Sequence, residues 1–475
     1  DFGADESLIT RAHRLLIGAT GGAGKASLYT EAGSSLNQNY LPYRYDRATN
    51  TMSDDSQTTL HFGAGGQLIS EGFLLVGTAN EDIFANKLYN FRQRGPAWAP
   101  VTNDLLVPQL AARNGEVGSS VAIDGDTIVV GARDYDNRGA VFVFITANGS
   151  DAYVLQAVLQ SDDIKTADLF GASVALSGDS LVIGAPGHDS ASAQNVGAVY
   201  FFQRLGQSWT QTTDFLGAST GAGLGSDVDI FGADAIVGAP GANTVYFYAY
   251  NGATWSQSPS ITGSGTLAGQ FGAAVAMDQT SAVVGAPTGN TGTGAAAVYV
   301  KSGSTWTQQG ATLLPSLTAA ETQATGVTVS SGDRYGSAVD ISGDRIAIGA
   351  PESALGKGLV YTYERTGTNW GDKQAFAYPT GVAGDHFGAA VALDGDQLIV
   401  GAYGREVTRG SATFTDEGAA YAYRFKNGQW QLDPPGDGNR LTAADGFSGD
   451  NVGFAVALSG DQVIVGAPQL NGRPG

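Results

Sequence analysis

The side chains that usually carry covalent or metal chemistry are scarce in this chain. Its 475 residues include no Cys and only four His, at 13, 61, 188 and 386. Without Cys there is no disulfide, thiol nucleophile or thiolate metal site. No two His share an HExxH pair, and no GxSxG elbow presents a nucleophilic Ser. Gly18-Ala19-Thr20-Gly21-Gly22-Ala23-Gly24-Lys25 approaches a phosphate loop, but Ala19 replaces its first Gly and Ala26 its Ser or Thr. Nucleotide binding is therefore not expected. The best cation candidate is Asp134-Tyr135-Asp136-Asn137-Arg138-Gly139, where Asp134 and Asp136 alternate. Calcium is the ion such oxygens suit, and a solvated Asx-rich turn is the competing reading. Asn148-Gly149-Ser150 is an N-glycosylation sequon, relevant to a protein secreted by a eukaryote.

Charge narrows the partners. A formal net charge of −20 opposes binding to nucleic acid or anionic lipid. No apolar run is long enough for a membrane helix. With 42% apolar residues, 69 Gly and 15% charged residues, the composition suits many short strands joined by tight turns.

Those strands come from a repeat. Residues 170–186 read FGASVALSGDSLVIGAP, and close variants start at Val117, Leu224, Phe271, Tyr335, Phe387 and Val452, with weaker copies at Phe2 and Phe62. The Gly closing the second strand recurs at 18, 77, 131, 184, 238, 285, 349, 401 and 466. Each copy predicts four strands. Strand A (173–176) and strand B (181–185) flank a tight Ser-Gly or Asp-Gly turn, strand C follows a variable loop, and strand D opens on Trp. All six Trp (98, 209, 255, 306, 370 and 430) hold that register, and Tyr153 takes the place in the third copy.

Four antiparallel strands repeated at this period predict an all-β chain, a β-propeller of radial blades over residues 1–475. Eight full copies and a partial one (452–475) favour eight blades, with seven as the alternative. Gly and Ala are expected where blades meet near the axis, and the Trp rings are expected to be buried between or along blades.

These FG…GAP modules resemble the FG-GAP family, best known from the ligand-binding heads of integrin α chains. The lead-ins Gly332-Asp333, Gly384-Asp385 and Gly449-Asp450 resemble its microbial surface branch. Integrin heads enlarge several A–B turns into calcium loops. Here those turns, such as Asp124-Gly125-Asp126 and Asp394-Gly395-Asp396, are too tight to encircle an ion, so those sites are not carried over.

In such a meander the B–C and D–A loops share one rim. They are long and irregular at 187–196, 311–333 and 403–417, which points to that rim for recognition, as the resemblance also implies. The expected function is a non-catalytic recognition or adhesion module, or an assembly subunit, at the cell surface or outside the cell. Its ligand would be protein or glycan. The rival is a propeller that binds or hydrolyses polysaccharide, which requires paired carboxylates across the axis. Because the ninth copy ends after strand B, its strands are expected to pair with another terminal copy, or with a neighbouring chain in self-assembly.

Overall fold

The computed structural model describes residues 116–146, 153–409, 412–433, 440–443 and 446–468, and the backbone of ten strands between Arg14 and Pro100. Where the repeats suggest one propeller over 1–475, the chain divides into two compact units, Asp1–Ala85 and Asn86–Gly475. In the first unit, Arg14–Gly18, Ala26–Ala32 and Ser35–Tyr40 form an antiparallel meander, as do Tyr43–Asp46, Thr51–Asp54 and Thr59–His61, and Gly66–Ile69 pairs with Phe73–Val76. The starts of the first two copies, at Phe2 and Phe62, lie outside the described residues, as do 19–25 of the loop resembling a phosphate site.

The second unit is the propeller. Six blades, rather than the eight or seven expected, are meanders built in chain order: 117–159, 173–216, 228–262, 274–313, 338–376 and 390–441, numbered 1 to 6 here. A further four-stranded sheet is composite. Strands A and B of the ninth copy, Ala455–Ser459 and Gln462–Ala467, join Lys87–Arg94 and Ala97–Pro100, strands C and D of the second. Repeat counting overestimates blades because the first copy falls in the other unit and the second and ninth contribute only two strands each, to one shared sheet. The outer edge of Gln462–Ala467 is thus filled by the same chain, through pairs from Gln462↔Arg92 to Ala467↔Lys87.

Blade 2 shows how the sequence dictates the layers. Strand A is Ser173–Ser177, B is Ser180–Ala185, C is Ala198–Leu205 and D is Ser208–Leu216. Strand B is buried throughout, so it reads as an unbroken apolar run, whereas the outer strand D alternates. Both faces of each sheet are covered, and the apolar cores lie between neighbours. One combines Val143 and Ile183, another Val298 and Ile348, and a third Ile464 with Val121.

The signature residues explain the ring. Phe170 is fully buried, worth about 1.5–3 kcal/mol. A Cβ on Gly184 would stand 2.0 Å from the carbonyl oxygen of Gly225, so the GAP glycine of one blade receives the FG backbone of the next. Gly466 meets Gly118 in the same way, at 2.2 Å, which closes the ring from the composite sheet to blade 1.

The A–B turns add a second tie. The Asp124 carboxylate accepts a bond from Gly178 N–H (2.7 Å), Ser177 Oγ from Gly232, Ser342 Oγ from Gly395, and Asp394 from Gly460. These Asp and Ser residues do more than form turns; each holds the turn of the following blade. Blade 3 has Phe231 at this position. There Asp227, just before strand A, and Asp229 on it accept from Val275 and Met277 of blade 4 instead, at 2.7 and 2.6 Å.

Candidate functional site

The B–C and D–A loops lie together, as expected, because they hydrogen-bond to each other: Ala167 N–H to Asn137 O, Gly187 N–H to Asp168 O, Gly404 N–H to Asp385 O. The residue before each FG step is held left-handed even when it is not Gly, with φ of 60° at Leu169, 57° at Arg334 and 55° at His386. That conformation is strained for a side-chain-bearing residue.

One position earlier sits the lead-in Asp. Asp168, Asp333, Asp385 and Asp450 are all buried. Each accepts the backbone N–H three residues before it, from Lys165, Ser330, Val382 and Phe447, at 2.7–2.8 Å. A second partner stands twenty residues on, in the B–C loop. His188 Nδ1 is 2.8 Å from Asp168, and Arg405 donates to Asp385 at 2.8 Å. At Asp333 the equivalent residue is Ser353, fully buried. Where the lead-in residue is small, so is its partner: Ala222 with Ala242, and Gly269 against Gly289. The lead-in was visible in the sequence, but its pairing was missed; the fixed twenty-residue spacing is the signal that could have found it.

Beside Asp333 a cleft of about 590 Å³ opens on the rim, lined by Thr328, Ser330, Asp333, Arg334, Glu352 and Leu355 among others. Leu355 is 88% exposed and follows Ala354 in a second consecutive left-handed conformation. Its carbonyl accepts from Gly384 N–H, which brings exposed Val382 into the neighbouring loop. Glu352 lies 3.3 Å from His386 Nδ1, and the His386 ring stacks on Tyr403 at 4.7 Å. Burial raises the pKa of Asp333 above its ordinary value. Further along the rim, in blade 6, the hairpin Val407–Arg409 and Ala412–Phe414 is pinned by Arg409, which pairs with the fully buried Glu417.

Asp134 and Asp136, the predicted cation ligands, occupy a short 3₁₀ turn, Tyr135–Asn137, with Asp136 left-handed. Among the described residues no group of three or more His, Asp or Glu converges as a metal-ligand set. Of the four His, His188 and His386 serve different loops, His13 lies outside the described residues, and the His61 side chain is not described. The sequon at 148–150 also lies outside them.

The Trp residues wedge between blades. Trp255 is buried and stacks on Phe201 of the preceding blade at 4.5 Å, and Trp306 stacks on Phe247 at 4.6 Å. Trp209 and Trp370 are half-buried and donate to Gln156 and Gln309 of the preceding blades, while Trp430 is buried. The Trp98 side chain is not described. The strand A carboxylates are engaged in inter-blade bonds, Asp340 with Leu393 N–H at 2.6 Å. Loss of water pushes Asp227 and Asp229 up to about 7 and Asp340 up to about 8, with Asp229 adding to the last.

Fold and rim together define a closed β-propeller with one smooth face and one elaborated face. The FG-GAP repeat profile matches five segments, 106–144, 153–202, 323–363, 370–423 and 436–474, and the chain belongs to the FG-GAP repeat propellers. Blades 3 and 4 fall between matched segments yet keep the same architecture. No curated protein matches the chain. Among the described residues no helix is long and apolar enough to cross a membrane.

Proposed function

We propose that this propeller is a non-catalytic recognition or adhesion module, extracellular or on the cell surface, that seats a protein or glycan ligand on its B–C and D–A rim. The rim cleft beside Asp333 carries the reading. It combines charged and apolar groups in a concave site, with the exposed Leu355 next to it. Membership of the FG-GAP repeat family supports the location, since such repeats are typical of extracellular proteins. The polysaccharide hydrolase rival draws little support from the strand A carboxylates, which are taken up as acceptors for backbone N–H groups of the next blade.

The test is a binding screen of the full chain against immobilised matrix proteins and polysaccharides. Any positive is repeated with the rim pair Leu355→Asp/Val382→Asp and with Leu205→Asp, an exposed Leu at the C–D turn of the opposite face. Loss of about tenfold or more on the rim alone is expected. Equal binding by the rim variant, or loss confined to Leu205→Asp, overturns the assignment.

A further inference from the structure

An Asn followed by Gly carries its own chemistry. The side-chain carbonyl carbon lies within reach of the next backbone nitrogen, and Gly has no side chain to block their approach. The chain holds five such steps, at Asn114, Asn148, Asn251, Asn427 and Asn471, and those at 251 and 427 lie within the described residues. Both are exposed C–D turns on the face opposite the loop rim. They are built differently. Asn427 and Gly428 are both left-handed, with φ of 54° and 77°, in a two-residue turn closed by the pair Lys426↔Gln429. Among the described residues nothing hydrogen-bonds the Asn427 side chain. Asn251 instead opens a four-residue turn, Asn251 to Thr254, ahead of the strand Trp255–Gln257. Its Oδ1 accepts from the N–H groups of Ala253 and Thr254, both at 2.9 Å, and its Nδ2 donates to Thr254 Oγ1 at 3.4 Å. Both donors to Oδ1 lie beyond Gly252, so the carboxamide is folded forward over the Gly252 peptide. A Cβ on Gly252 would meet nothing within 4 Å, which leaves that peptide room to turn. Two N–H groups aimed at one carbonyl oxygen also stabilise the negative charge that develops there when its carbon is attacked.

We propose that Asn251 is a site of self-modification, where the backbone nitrogen of Gly252 closes on the Asn251 side chain to form a succinimide. The new bond joins Gly252 N to Asn251 Cγ. The bond from Cγ to Nδ2 breaks, and the amide hydrogen of Gly252 leaves with Nδ2 as ammonia. The Ala253 and Thr254 N–H groups hold the oxyanion of the tetrahedral intermediate, and Thr254 Oγ1, beside Nδ2, passes the proton to the leaving group. Water then opens the ring at either carbonyl, leaving aspartate or isoaspartate at 251 and adding one negative charge. The aspartate form keeps an oxygen for both N–H groups. The isoaspartate form lengthens the backbone ahead of Trp255, whose ring stacks on Phe201 of the preceding blade. The modification therefore falls on the turn that sets an inter-blade wedge.

The experiment incubates the full chain at mildly alkaline pH, native and unfolded in urea, and follows peptide maps by mass spectrometry for replacement of the side-chain amide by acid at Asn251 and Asn427. In the native chain Asn251 is expected to convert at least about tenfold faster than Asn427, and in urea the two rates are expected to converge. Asn251→Gln, whose longer side chain would have to close a larger ring, is expected to abolish conversion at 251 and to leave that at Asn427 unchanged. Native conversion of Asn427 as fast as that of Asn251 overturns the inference, as does a native Asn251 that stays intact while the unfolded chain converts. A preference for Asn251 that persists undiminished in urea also overturns it, since it would then belong to the neighbouring residues and not to the folded turn.

Discussion

The rim loops after blades 4 and 5 are built alike and differ in one partner. Asp333 and Asp385 are both buried and both accept the N–H three residues back. Asp385 also has Arg405, whose guanidinium reaches the Thr380 carbonyl and lies 5.8 Å from the Tyr378 ring centroid, tying several parts of its loop together. Asp333 has Ser353, too short to reach beyond it, and the cleft opens beside it. One repeat thus braces its carboxylate with a cation, while its neighbour holds the same carboxylate with backbone N–H and a neutral hydroxyl beside a cleft.

Removing the brace where it exists should have the largest effect. Arg405→Ala leaves Asp385 buried and unpaired, and is expected to cost about 3–5 kcal/mol in urea unfolding. A cost under about 1 kcal/mol would show that Asp385, like Asp333, is held well enough without a cation. His188→Ala should cost less, about 1–3 kcal/mol, since it deletes one bond to Asp168. Measured under the same conditions, it grades the two braces against each other.

Carboxylates held by backbone N–H groups without a cation define the other side of the comparison, and they carry a pH signature. Asp340 ionises in the unfolded chain near 3.8 but in the propeller only at about 8. Its folded pKa is raised, so its contribution to stability is complete below about pH 4 and is lost as pH rises towards 8. Asp340→Asn retains the acceptor for Leu393 N–H and should flatten that decline in thermal scans from pH 4 to 8. Parallel curves for the two proteins would refute it.

Ser353→Ala should cost about 1 kcal/mol, the ordinary worth of one hydroxyl hydrogen bond, because the hydroxyl it removes helps to hold the Asp333 carboxylate. The smallest effect is expected from EDTA. With tight A–B turns, chelation should leave the melting temperature nearly unchanged, and a drop of many degrees would send attention to Asp134 and Asp136.

The sequence makes the blade legible because its signature is steric. Gly184 and Gly225 occur where two backbones touch, and a hairpin with an alternating strand announces itself locally. The blade count is not local. Nothing in Phe73–Val76 or Gln462–Ala467 says which of these B strands Lys87–Arg94 will choose. The A–B turn residues were legible as turn formers but not as ties, since Asp124 meets Gly178 only after the blades assemble. The braces hid for the same reason: Asp168 and His188 sit in different loops, and the changing partner (His, Ser, Arg) disguises one constant geometry.

The composite sheet also determines how the ring would answer a pull. Its two closing strands run antiparallel, with Ala467 opposite Lys87, so the chain enters one and leaves the other at the same end of the ladder. Tension applied through those points loads the pair Ala467↔Lys87 first, and then each pair in turn towards Gln462↔Arg92. The closure therefore unzips one bond at a time rather than resisting in shear, and forced opening is governed by that sequential barrier. A propeller strained between two attachments would yield at this seam, with its six continuous blades still folded.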